Sequence, residues 1–116
     1  MDSTELKVRT KRFAHECVKI ASELANTQLG RHISGQLNRC STSVAANYRA
    51  TCHAQSKAAF IAKISIVVEE CDESEFWLEF IMDENLLSRE RIQNHFKEAH
   101  ELASIFVKSR RTAQGR

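Results

Sequence analysis

The sequence predicts an all-α protein, a single antiparallel four-helix bundle running up-down-up-down over residues 1–116. Three observations carry that prediction. The 116 residues contain no proline and only three glycines, at positions 30, 35 and 115, so few natural breaks interrupt helix-compatible sequence. Apolar residues recur in alternating steps of four and three along four separate stretches, the spacing that keeps one stripe of a helix facing its partners. Short polar segments divide those stretches, and four amphipathic helices with short connectors bury their stripes by packing at small crossing angles.

The first helix, expected over about residues 4–25, is read from Leu6, Thr10, Phe13, Cys17, Ile20 and Leu24. Asn26-Thr27-Gln28-Leu29-Gly30 interrupts the pattern, with Gly30 expected to end the helix by adopting positive φ. The second helix, about 31–52, repeats the rhythm through Ile33, Leu37, Cys40, Val44, Asn47 and Thr51. Asn47 stands where an apolar residue is expected. A polar residue at a core-facing position costs stability unless satisfied and can fix register or subunit arrangement; the plainer alternative is proximity to the surface.

The third helix, about 56–82, is capped by Ser56 and runs through Phe60, Ile64, Val67, Cys71, Ser74, Leu78 and Ile81. It is apolar on more than one side, because Ala59, Ile66, Trp77 and Phe80 project away from that stripe at about 100° per residue. Ile66, Trp77 and Phe80 are therefore candidates for a subunit interface, the alternative being a central helix that touches two neighbours of its own bundle. Asp83-Glu84-Asn85 breaks the pattern. The fourth helix, about 88–111, starts at a Ser88 cap and carries Ile92, Phe96, Ala99, Leu102, Ile105 and Phe106 before a basic tail over residues 108–116.

Composition bounds the function. No stretch approaches the roughly 18 apolar residues of a membrane span, and the polar, acidic start Met1-Asp2-Ser3-Thr4-Glu5 does not read as a secretory signal. A soluble, cytoplasmic protein with no membrane association is expected. Cys17, Cys40, Cys52 and Cys71 form no C-x-x-C pair, and Cys17, Cys40 and Cys71 fall on apolar helical positions, where a free thiol behaves as a modest hydrophobe. None of His15, His32, His53, His95 and His100 has a glutamate three positions earlier, so the inward Glu-x-x-His pairs of di-metal bundles are missing. With no phosphate-binding glycine loop, nucleophile elbow or H-E-x-x-H motif, the reading is a protein that is not an enzyme, holding no metal and no cofactor. The acidic run from Glu69 to Glu79 points in several directions on a helix and is read as solvated or paired with basic neighbours.

Net charge is +2, unevenly spread: residues 1–63 carry ten Lys and Arg against four Asp and Glu, residues 64–107 three against eleven, and residues 108–116 four against none. Arg31, His32, Gly35, Arg39, Thr42, Ala46, Arg49 and His53 share one sector of the second helix, opposite its apolar stripe. Basic residues alternating with small ones allow close approach of a phosphate backbone, with arginine forks as donors. Lys7, Arg9, Lys11 and Arg12 extend that face from the first helix. The candidate nucleic-acid contacts are thus Arg31, Arg39, Arg49, His53, Lys7 and Arg12, to be weighed against a solvated face that pairs with the acidic third helix.

The run from Gly35 to Ala50, GQLNRCSTSVAANYRA, resembles the second-helix signature of bacterial four-helix proteins related to those encoded in 23S rRNA intervening sequences, a family that includes the accessory variability proteins of diversity-generating retroelements. The likeness continues through Ser56-Lys57, Phe60-Ile61, the Glu69–Ser74 run and Phe76-Trp77-Leu78-Glu79, covering nearly the whole chain. Arg49-Ala50 stands where many members have a glutamate-glycine pair, as in a divergent branch. The resemblance implies a bundle assembling as a homopentameric barrel, a basic surface that binds RNA or DNA with Arg39, Asn47 and Arg49 at signature positions, and, in the retroelement branch, a reverse transcriptase as protein partner.

Overall fold

A computed structural model describes all residues, 1–116, as four helices without strands: α1 (Ser3–Glu23), α2 (Gln28–Thr51), α3 (Lys57–Asp83) and α4 (Arg89–Ala113). Each helix begins where a short polar side chain can accept an otherwise unpaired backbone N–H. Asp2 accepts from Glu5 at 2.8 Å, Thr27 from Gly30 at 3.0 Å, Ser56 from Ala59 at 3.0 Å and Ser88 from Arg91 at 3.2 Å. After α3, Asn85 takes positive φ (54°), while Asn85 N–H donates to Met82 and Leu86 N–H to Ile81 at 3.0 Å. This is the paired hydrogen-bond closure that a left-handed residue makes at a helix end.

Gly30 departs from expectation. It lies in the first turn of α2, buried and without positive φ, so α2 starts three residues earlier than the apolar rhythm indicates. The reason is steric: a Cβ at position 30 would overlap the carbonyl oxygen of Ala25. Glycine is needed here for close approach of two chain segments, not for φ.

The four stripes converge on one core cluster of 20 buried residues, including Phe13, Cys17, Ile20, Ile33, Leu37, Cys40, Val44, Ile64, Val67, Cys71, Leu78, Ile81, Ile92, Ala99, Leu102 and Phe106. Three cysteines are thus core residues, and burial holds all three thiols above their ordinary range, Cys40 at about 11. On α2 the stripe continues through Tyr48, not Asn47. The Tyr48 ring packs on Phe106 with centroids 5.0 Å apart, whereas Asn47 is half-buried and donates to the Ser43 carbonyl (3.0 Å) and hydroxyl (2.8 Å) of its own helix. Its amide is satisfied locally and contacts no other helix by hydrogen bond.

The bundle measures 44 × 20 × 20 Å. Helix α2 packs along α1 and α3, and α4 packs along α3, while α1 and α4 meet over a shorter seam; α1 and α3 lie diagonally, as do α2 and α4. The α1/α4 seam is closed by charge. Arg9 binds Glu98 at 2.7 and 2.8 Å and Glu101 at 3.0 Å, Arg91 binds Glu23 at 2.6 Å, and His95 lies 3.6 Å from Glu16. No helix is long and apolar enough to cross a membrane.

Candidate nucleic-acid interface

The structure divides the basic residues read from sequence into three groups. Arg39 faces α3, where its guanidinium donates to Glu70 at 3.0 Å and also pairs with Glu73. Donation of a hydrogen bond to Glu73 and the charge of the nearby carboxylates raise its already high pKa. At about 80° around α2 from Arg31 and Arg49, Arg39 sits at the flank that meets the acidic helix. Its charge is answered inside the chain, so it leaves the candidate phosphate-binding face. Arg9 is similarly engaged by α4.

Arg31 occupies the far end of the face. It donates to Asn26 at 2.9 Å and stands eighteen residues, roughly 27 Å of helix, from Arg49. The third group is brought together. Lys7, Lys11 and His15 from α1 and Arg49 from α2 rim an open groove of about 710 Å³ whose apolar walls are Val8, Ala14, Val18, Ala45 and Ala46. Arg12 is exposed on α1 but turned toward the α4 side, and His53 is exposed in the turn after α2. Lys7 and Arg49 have no ion-pair partner in the chain, and Lys57 follows from the α2–α3 turn at the same end.

Sequence reasoning placed Lys11 on the extension of the basic face without counting it among the candidate contacts, and left His15 out altogether. Their signal was present: Val8, Lys11, His15 and Val18 recur in steps of three, four and three on the side of α1 away from the core. The groove needs small residues on α2, and Thr42, Ala45 and Ala46 provide the floor.

The interface candidates on α3 are also divided. Trp77 is half-buried against the core and meets His32 of α2 edge-on with centroids 5.6 Å apart, and Phe80 packs beside it. Their apolar area is largely used within the chain, as the two-neighbour reading has it. Ile66 remains 42% exposed. Phe76, which the sequence reading passed over, is the most exposed aromatic at 51%. The acidic run is distributed between neighbours: Glu70 and Glu73 meet Arg39 of α2, and Glu75 lies 3.2 Å from His100 of α4. No three His, Cys, Asp or Glu side chains converge to hold a metal ion.

Comparison with known proteins follows the same fold. Residues 4–108 match the family model described as 23S rRNA-intervening sequence protein. The chain is similar to a crystal structure of a protein of unknown function from the S23 ribosomal protein family of Bacteroides thetaiotaomicron. The two share 30% sequence identity and a TM-score of 0.86, over 96% of this chain and 99% of that one. No curated protein matches the chain.

Proposed function

The chain belongs to the family of 23S rRNA-intervening sequence proteins, and from that premise we propose that it is a non-enzymatic, homo-oligomeric accessory protein that binds nucleic acid through one end of its bundle. The observation that carries this reading is the sorting of charge along the long axis. Cross-helix pairs such as Arg9–Glu98, Arg91–Glu23 and Arg39–Glu70 support successive helices running in opposite directions. Folded that way, residues 1–13, 40–70 and 101–116 share one end and carry eleven Lys and Arg against five Asp and Glu. Residues 14–39 and 71–100 share the other, with six against ten. A formal +6 end opposes a formal −4 end.

A phosphate backbone is drawn to such an end by charge and counterion release without base readout. Lys7 and Arg49 stand at the groove mouth there, with His53, Lys57 and the Arg110-Arg111 tail nearby in the fold. Self-association belongs to the same proposal, with five copies the number the resemblance implies and Ile66 and Phe76 the exposed apolar side chains that favour it. A protein partner, such as a reverse transcriptase, is the alternative use of the same surfaces.

The test is a salt series of fluorescence anisotropy with labelled duplex DNA, single-stranded DNA and structured RNA. Each phosphate contact contributes about one to the slope of log K against log salt, so Lys7→Ala with Arg49→Ala lowers the slope by about two. Absence of binding at low salt, or an unchanged slope in that variant, overturns the nucleic-acid reading.

A further inference from the structure

The outward faces of α1 and α3 carry matching stripes. On α1 the stripe is Val8, Lys11, His15, Val18; on α3 it is Ile66, Glu69, Glu73, Phe76. Both follow steps of three, four and three, so both place an apolar residue, two charged or titratable residues and a second apolar residue at the same heights along a helix. The four apolar side chains are among the most exposed large hydrophobic residues of the chain, at 54%, 40%, 42% and 51%. Lys11, His15 and Glu69 have no ion-pair partner within the chain, while Glu73 is held by Arg39.

These stripes cannot meet in one molecule. Helices α1 and α3 lie diagonally across the bundle, and each stripe points away from the core on the side opposite its buried residues. We infer that the α3 stripe of one copy docks on the α1 stripe of a second copy, an inference that rests on the reading that the chain self-associates. Two turns separate α1 from α3, so the helices run in the same direction within the chain, and copies aligned in one direction bring Val8 to Ile66, Lys11 to Glu69, His15 to Glu73 and Val18 to Phe76. This register pairs the free ammonium of Lys11 with the free carboxylate of Glu69. The groove beside Val8 and Val18, floored by Ala45 and Ala46, leaves room for the Phe76 ring.

Each copy offers a donor face and an acceptor face at different places on its surface, so the contact is head-to-tail and does not end at a dimer. Aligned copies also gather their basic ends on one side of the assembly, which joins this contact to the proposed nucleic-acid surface.

The experiment is a charge swap read by native mass spectrometry and light scattering, with circular dichroism confirming that each variant remains helical. Lys11→Glu and Glu69→Lys, both at exposed positions, each weaken assembly at least tenfold in the concentration required. The double variant Lys11→Glu/Glu69→Lys restores it. Wild-type assembly unaffected by either single change, or not restored in the double variant, overturns this docking while leaving self-association in place. A wild-type chain that stays monomeric at about 100 μM removes self-association itself, and this contact with it.

Discussion

The guanidinium of Arg39 is shared between Glu73 and Glu70, two carboxylates one turn apart on α3, and so spans the α2/α3 seam. Half of the Arg39 side chain is still exposed to water, and pairs in that setting contribute little to stability because solvent screens them. Arg39→Ala is therefore expected to lower unfolding free energy by less than about 1 kcal/mol in urea titrations. It should leave the salt slope of nucleic-acid binding unchanged, in contrast to Lys7→Ala with Arg49→Ala. A slope reduced by Arg39→Ala alone would return that residue to the phosphate-binding face.

The three glycines are not equivalent. Gly30→Ala forces a methyl group into the Ala25 carbonyl, and overlap with backbone cannot be relieved by rotating a side chain. The expected loss is about 1–3 kcal/mol. Gly35 lies in the exposed middle of α2 with nothing within 4 Å of an added Cβ, so Gly35→Ala should stabilise by about 0.5–1 kcal/mol through helix propensity. Opposite signs in chemical denaturation of the two variants check both claims.

Acid should loosen the α1/α4 seam. The hydrogen bond from Arg91 holds Glu23 below its ordinary value of 4.5, and the charges of Lys19 and His95 do the same for Glu16. A depressed carboxylate contributes stability that is complete above its unfolded value and is lost as pH falls through the folded one. The seam's contribution should therefore persist at pH 5 and decline below about 4.5. Carboxyl-carbon NMR titration of Glu23 should move up toward 4.5 in Arg91→Ala; a wild-type midpoint already at 4.5 would contradict the pairing.

Thiol reactivity should report the core. Cys52 is partly exposed near the end of α2, whereas Cys17, Cys40 and Cys71 have no exposed surface and burial disfavours their thiolates. One equivalent of maleimide should add rapidly at pH 8, at Cys52, with the remaining three reacting only at the rate of unfolding. Rapid addition of two or more equivalents, located by mass spectrometry, would place a second thiol outside the core.

Much of the fold is legible along the chain because helices and their caps are local. Ser56 and Ser88 announce helix starts through hydroxyls that reach amides three residues on, and the rhythm of Ile64, Val67, Cys71, Leu78 and Ile81 marks a core face by period alone. Where that rhythm met a competing local feature it went astray. Asn47 occupies a position three residues beyond Val44, but the larger Tyr48, at the i+4 alternative, fills the space beside Phe106. Gly30 looked like a helix end, yet its missing Cβ answers a backbone contact with Ala25 that no pattern of residue types records.

The candidate surface depended on more distant information. By itself the sequence determined that four amphipathic helices form, most of the residues that enter their common core, and that positive charge is concentrated in the first half and the tail. Only the tertiary structure decided which charges remain available. Helix adjacency spends Arg39 on α3 and Arg9 on α4, joins Lys7, Lys11 and His15 to Arg49 across the α1/α2 groove, and sets the exposed stripes of α1 and α3 on diagonal helices. The physical reason is range: helical periodicity and capping act over three or four residues, whereas an ion pair or an unpartnered face is defined by which helix stands beside it and at what angle.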